Sequence, residues 1–188
     1  MKKKIAVLAL QGAFIEHEKI LEELGAEIIE VRQKADLQDH FDALVLPGGE
    51  STVIGKLLKE LGLFQPLKEK IESGMPVLAT CAGLILLAEH IVNDEHVYFG
   101  TMPITVRRNA YGRQLGSFET EEEVTRIGRI PLRFIRAPYI EGVGNGVEVL
   151  ARVNGMAVAA QFGKQIGLAF HPELTGDRSV HQYFLESI

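Results

Sequence analysis

The first half of the chain alternates between two hydrophobic periods. Residues 4–10, KIAVLAL, form an unbroken apolar run, which is how a strand reads when both its faces are buried in a parallel sheet. The next segment, AFIEHEKILEELG, changes to helical spacing. Phe14, His17, Ile20, Leu21 and Leu24 fall on one face, and Gly25 stands where a helix would end through a left-handed residue. EIIEVR and DALVLPGG read as a second and third strand. STVIGKLLKELGL returns to helical spacing with Val53, Ile54, Leu57, Leu58 and Leu61, and Ser51 or Thr52 is the candidate cap. MPVLATC is a fourth strand and AGLILLAEH a further helix. Strands alternating with helices over short loops predict an α/β fold with a doubly wound, mostly parallel sheet and flanking helices.

The second half changes character. PITVRRNAYGRQLGSFETEEEV, LRFIRAPYI and VEVLARVNGMAVAAQFGKQIGLAFHPE are rich in strand formers, and Asn154-Gly155 between VLARV and MAVAAQF is a two-residue hairpin turn. SVHQYFLESI, with Val180, Tyr183 and Phe184 on one face, reads as a closing helix. No repeat, low-complexity run or long linker divides residues 1–188, so one domain is expected.

Composition narrows the classes. The 188 residues are 46% hydrophobic and 24% charged, and the net charge of −5 offers no field for a nucleic acid or an anionic membrane surface. The apolar runs fall far short of the roughly 20 residues a membrane helix needs. MKKKIAVLALQGAF has only a short apolar part that runs into a charged helix pattern, and it reads as a first strand rather than an export signal. One cysteine cannot form an internal disulfide, so a cytoplasmic location is expected.

That cysteine, Cys81, lies in PVLATCAGLILLA, where a buried strand ends and a helix begins. A lone cysteine usually behaves as a small buried hydrophobe. The position argues for more, because ligands of parallel α/β sheets bind outside the carboxyl ends of the strands. A nucleophile on a sharp strand-to-helix turn needs small neighbours such as Ala82 and Gly83, and the helix N-terminus favours a thiolate.

A thiol nucleophile wants a base, and the base an orienting carboxylate. AFHPEL supplies His171 and Glu173 two residues apart, and in an extended stretch i and i+2 project to the same side. The remaining histidines, His17, His40, His90, His96 and His181, have no spacing that completes a metal shell, so no metal is expected. LPGGEST, residues 46–52, adds a glycine-rich turn whose N–H groups suit an oxyanion hole. It does not meet the spacing of a phosphate-binding loop, since Gly49 and Gly55 are six apart and Leu57 follows Lys56.

With these three motifs in this order, the sequence resembles the class I, triad-type glutamine amidotransferases. Within that group it is similar to the glutaminase subunits of glutamine-dependent pyridoxal 5′-phosphate synthases. LALQGAF, LPGGEST, TCAGLILLA, RRNAYGRQ, FIRAPYI and FHPELTGD carry the resemblance over nearly the whole chain. One position departs from the family pattern: Ala79 stands two residues before the cysteine, where glycine is usual, and reads as local repacking.

The resemblance implies a flavodoxin-like glutaminase in which Cys81 is the nucleophile, His171 the acid and base, and Glu173 its orienting partner. It implies that Gly49, Glu50 and Ser51 line the glutamine site, with the N–H groups of Gly49 and Ala82 as oxyanion donors. Arg108, Ile135 and Arg136 would complete the pocket, and Gln11 would lie near a partner interface. The implied reaction is hydrolysis of L-glutamine to glutamate and ammonia through a thioester, without a cofactor. The ammonia would pass to a (β/α)8-barrel synthase subunit, within a large hetero-oligomeric lyase complex that makes pyridoxal 5′-phosphate as its product. Rival readings are a glutaminase serving a different synthase, against which RNAYGRQ argues, and a cysteine hydrolase of related fold, which typically places its histidine soon after the cysteine. A binding module that keeps the fold without the triad is a third.

Overall fold

A computed structural model describes residues 1–108 and 116–188 of the chain. Its strands in chain order are β1 (Lys4–Leu8), β2 (Glu27–Val31), β3 (Ala43–Leu46), β4 (Val77–Thr80), β5 (Ala88–Ile91), β6 (Met102–Arg107), β7 (Ser117–Val124), β8 (Gly128–Ile135), β9 (Tyr139–Val143), β10 (Glu148–Val153), β11 (Met156–Phe162) and β12 (Gln165–Leu168). The helices are α1 (Phe14–Glu23), α2 (Ser51–Glu60), α3 (Phe64–Glu72), α4 (Ala82–Leu87) and α5 (Ser179–Glu186). Two 3-10 turns, Lys34–Gln38 and Pro172–Leu174, complete the described elements.

The main sheet runs β2-β1-β3-β4-β12-β11-β9-β6-β5, with β10 paired to β11. The first five strands are parallel; β1, β3, β4 and β12 are buried almost throughout on both faces, whereas the edge strand β2 exposes Glu27 and Glu30. Strand order reverses between β1 and β3. The right-handed crossover from β1 to β2 therefore puts α1 on one face, while that from β3 to β4 puts α2 and α3 on the other, and a crevice opens outside the carboxyl ends. The β-rich second half extends the sheet with antiparallel strands, from β11 against β12 to β6 against β9. A separate ribbon, β7 with β8, stacks Phe118 on Phe134 at 4.7 Å, and Phe134 meets Phe170 at 5.9 Å. One buried cluster reaches from Ile5 to Phe184 and takes in both sheets.

Several local expectations hold. Asn154 (φ 50) and Gly155 (φ 80) make the β10–β11 hairpin with the two left-handed residues of a type I′ turn. Gly25 (φ 91) follows α1 as a left-handed stop. Others are corrected. The helix expected over AGLILLAEH ends at Leu87, because the Leu86 carbonyl accepts from the Phe99 N–H at 2.9 Å and Ala88–Ile91 pairs with β6 as a strand. LRFIRAPYI, read only as β-rich, is strand as expected and divides into the end of β8 and the start of β9 where Arg136 takes φ 45. FQPLKEKIE, unassigned by spacing, is α3, with Leu67 and Ile71 inward and Pro66 in the first turn, where its missing N–H costs nothing. Neither Ser51 nor Thr52 caps α2; the N-cap position falls on Glu50 without a side-chain bond, since the Ser51 hydroxyl is engaged elsewhere.

Candidate active site

Cys81 follows β4 directly. Its N–H still donates to the Leu168 carbonyl of β12 at 2.8 Å, and its own carbonyl accepts the first helical bond of α4, from Ile85. To turn from strand to helix within one residue, Cys81 adopts φ 49 and ψ −101, a conformation that costs about 1–3 kcal/mol for a non-glycine residue. The turn fits only because the next two residues are small: a Cβ on Gly83 would lie 2.1 Å from the Leu46 carbonyl oxygen of β3. Ala79, the position that departs from the family pattern, is fully buried in β4 in register with Leu46 and Gly167, so its methyl projects from the sheet face beside Leu46 and the side-chain-free Gly167.

His171 enters from the opposite side of the crevice. Its N–H donates to the Arg133 carbonyl of β8 at 2.8 Å, so the ribbon sets where the histidine begins. The stretch is not extended as expected: Pro172–Leu174 forms a 3-10 turn, and Glu173 folds back beneath the ring. His171 Nδ1 meets Glu173 Oε1 at 2.6 Å, which leaves the other ring nitrogen for the thiol of Cys81, which lines the same cleft and acts on the ring electrostatically. Burial alone would lower the His171 pKa, but Cys81 and Glu173 outweigh it and the result is pushed up to about 10. Glu173 is buried too, which opposes its charge, yet His17 and His171 hold its carboxyl below the usual range.

The 48–50 turn forms the crevice's near wall. Gln11 Oε1 accepts from the Glu50 N–H at 2.8 Å, and the Ala13 N–H donates to the Gly48 carbonyl at 3.1 Å, so the segment after β1 clamps the turn after β3. Gln11, expected at a partner interface, is thereby tied into the loop itself. Ala82 is the first residue of α4, so its N–H has no intrahelical acceptor and is free for an oxyanion.

At the far end, Arg108 donates to Ser51 Oγ at 2.8 Å, to Tyr98 Oη at 3.2 Å and to Asp94 Oδ2 at 2.7 Å. A cleft of about 470 Å³ joins these pieces, lined by Gly49, Glu50, Ser51, Cys81, Arg108, Ile135, Arg136 and His171 together with Gly12, Ala13, Gly48, Thr52, Ile85, Pro138 and Leu174. Every pocket residue expected from the sequence therefore meets in one place, with Glu173 behind it and Ala82 beneath. Residues 109–114, the NAYGRQ of the RRNAYGRQ motif, lie outside the described residues. A larger hollow, about 700 Å³, opens at the amino ends of the strands between Met1–Lys3, Gly25 and Glu186, with no cysteine, serine, threonine or histidine in its lining.

Sequence reasoning missed four contributors. Asp94 and Tyr98 hold Arg108, and nothing in VNDEHVY marks them. His17 and His181 lie buried behind Glu173; His17 stands out only as the polar residue on the apolar face of α1. Among the described residues no group of three or more His, Cys, Asp or Glu side chains is arranged to hold a metal ion, and no helix is long and apolar enough to cross a membrane.

Residues 7–188 match the model of the SNO glutamine amidotransferase family. A protein of Desulfitobacterium hafniense (strain Y51) named pyridoxal 5′-phosphate synthase subunit PdxT is 62% identical over 185 residues, covering 98% of this chain and 93% of that protein. One of the same name from Haemophilus influenzae (strain PittEE) is 54% identical over 186 residues, covering 97% of each. A crystal structure of a glutamine amidotransferase superposes with a TM-score of 0.92 at 46% identity, covering 97% of both chains. A chain in the structure of PurLQS from Thermotoga maritima shares the fold at 19% identity, with a TM-score of 0.67 over 99% of each chain.

Proposed function

This chain belongs to the SNO glutamine amidotransferase family, and from that premise we propose that it is the glutaminase subunit of a pyridoxal 5′-phosphate synthase. The observation that carries the reading is the line from Cys81 through His171 to Glu173, laid along a cleft whose other end presents the Arg108 guanidinium. A glutamine molecule spans such a cleft in one direction. Its α-carboxylate suits Arg108 and its neighbour Ser51, and its side-chain amide then lies at the thiol.

The chemistry follows from the groups present. The Cys81 thiolate adds to the side-chain amide carbon, and the oxygen that becomes negative is met by the N–H groups of Gly49 and Ala82. His171 holds a proton at neutral pH and gives it to the amide nitrogen, so the C–N bond breaks and neutral ammonia leaves. Water, losing its proton to His171, then adds to the thioester; the C–S bond breaks and glutamate departs. Glu173 keeps the ring oriented through both transfers. Cys81, His171 and one water molecule account for each proton and electron pair, so we assign no cofactor or metal to it.

Ammonia serves a synthase only while unprotonated, which favours direct passage into the partner. The partner we assign is a (β/α)8-barrel synthase subunit in a hetero-oligomer, with Gln11 and the clamped 48–50 turn facing it. A cytoplasmic location keeps the Cys81 thiol reduced. The test is ammonia release from glutamine by wild type and by Cys81→Ala, each alone and mixed with the synthase subunit. Release that needs Cys81 and rises with the synthase supports the reading; release that persists in Cys81→Ala removes the nucleophile, and none in any mixture removes the function.

A further inference from the structure

Behind the triad lies a pair of histidines that glutamine hydrolysis does not use directly. His17 of α1 and His181 of α5 are both fully buried, and they join two helices through His17 Nδ1 and His181 Nε2 at 2.8 Å. The other ring nitrogen of His17 faces Thr80 Oγ1 at 3.2 Å and Glu173 Oε2 at 3.5 Å. Thr80 precedes Cys81, so the His17 ring touches the roots of both the nucleophile and its carboxylate. His171 takes Glu173 Oε1; among the described residues Oε2 is buried with no hydrogen bond of its own, and His17 is the polar group that faces it.

Proton positions follow from the ends of this chain of contacts. If His17 carried its proton on Nδ1, its bare Nε2 lone pair would face a carboxylate oxygen, and His181 would bury an unpaired N–H at Nδ1. With the proton on Nε2, His17 presents a donor to Thr80 and Glu173 and accepts from His181 Nε2–H. The orphan is then a lone pair at His181 Nδ1, the cheaper of the two to leave unpaired. Burial keeps both rings neutral, against the pull of Glu173 and Glu16 on His17. The donors run one way from His181 through His17 to Glu173, and His171 Nδ1–H donates to the carboxylate from the other side.

We propose that His17, locked by His181, is a positioning residue of the triad: its Nε2–H faces Glu173 Oε2, keeps the carboxylate charged and holds it turned so that Oε1 meets His171. The inference rests on the triad reading of the site. Without a polar neighbour at Oε2, a carboxylate this buried is better off neutral or rotated away. His171 then loses its counter-charge, and the Cys81 thiolate beside it forms only at higher pH.

The test compares His17→Leu and His17→Gln with wild type, each as the full chain. Three quantities are read: the pH dependence of Cys81 alkylation by iodoacetamide, the melting temperature, and glutaminase kinetics with the synthase subunit present. In His17→Leu the alkylation midpoint should move up by about 1 in pH and kcat should fall about tenfold, with KM near wild type, a tenfold change corresponding to one unit of pH. His17→Gln, which returns an N–H donor, should restore most of both. If the two variants melt alike, below wild type, while alkylation keeps the wild-type midpoint, His17 is only a packing residue and the proposal falls. Alkylation needs no glutamine, so an inactive wild type would overturn the proposed function while the midpoints still decide the role of His17.

Discussion

Gly48 and the ring of His171 are in contact: a Cβ on Gly48 would lie 2.4 Å from His171 Cε1 and 3.0 Å from Nδ1. The turn expected to hold the oxyanion and the ring expected to move the proton therefore set each other's place. Neither can grow without displacing the other, and the ring is pinned from behind by Glu173 and from its own backbone by Arg133.

Gly48→Ala should consequently lower kcat about 100-fold, the cost of misplacing a reacting group by roughly 1 Å. Gly48 carries no left-handed backbone that a side chain would strain, but forcing the pinned ring aside overpacks the site, so the melting temperature should fall as well, by the scale of about 1–3 kcal/mol of overpacking. Glutaminase assays in the presence of the synthase subunit, alongside a thermal melt, check it; an alanine variant with wild-type kcat would show that the loop yields instead.

Cys81 is held at φ 49 and ψ −101, outside the regions a side chain prefers. Glycine loses that strain and alanine does not, whereas both lose the thiol. Cys81→Gly should therefore be inactive yet more stable than Cys81→Ala by about 1 kcal/mol in denaturant unfolding, in spite of glycine's greater freedom when unfolded. Equal stabilities would mean that the elbow stores no strain.

What could be read in the sequence was what has a local period or a fixed spacing. The first strand announces itself as an apolar run and the next three as short segments between helical periods, whereas β12 was legible only as part of a β-rich stretch; Asn154-Gly155 carries its turn type in two residues. Cys81, His171 and Glu173 could be named because the elbow and His-x-Glu are short motifs, although the extended geometry expected for 171–173 proved to be a 3-10 turn. The early end of α4 could not be read, because it depends on Phe99 reaching back to the Leu86 carbonyl. Asp94 and Tyr98 were invisible for the same reason: their bond to Arg108 is made by tertiary placement, not spacing. His17 showed as a polar residue on an apolar face, but its partner His181 is 164 residues away.

Arg108 is built to be one rigid fork, with Asp94, Ser51 and Tyr98 around it. Arg108→Lys keeps the charge but not the fork, and should raise KM for glutamine about 30- to 100-fold with a smaller effect on kcat, the scale of a lost paired, charge-assisted bond. Asp94→Asn, which frees the guanidinium without removing it, should raise KM by only a few-fold. Steady-state kinetics across glutamine concentrations separate the two, and an unchanged KM in Arg108→Lys would take Arg108 out of the substrate site.

The buried histidines also fix how stability responds to acid. His17 and His181 have pKa values lowered by burial, so below about pH 6.5 the unfolded chain binds protons that the folded chain refuses. Their contribution to stability is present above the unfolded pKa and is lost as pH falls. His171, raised to about 10, acts in the other direction: its contribution is full below 6.5 and is lost as pH rises towards 10. Glu18, pushed up to about 7 by burial and by Glu30 and Glu22, also favours the folded state on the acid side and partly offsets the two histidines between about 4.5 and 7. A comparison with wild type removes that offset. His181→Gln keeps a donor for His17 Nδ1 but cannot take up a proton, so unfolding free energies measured from pH 6.5 down to 5 should fall less steeply than in wild type. The difference should be at most about 1.4 kcal/mol per pH unit, the limit for one proton. Identical slopes would mean that His181 is protonated in the folded chain, and the one-way order of donors from His181 to Glu173 would not stand.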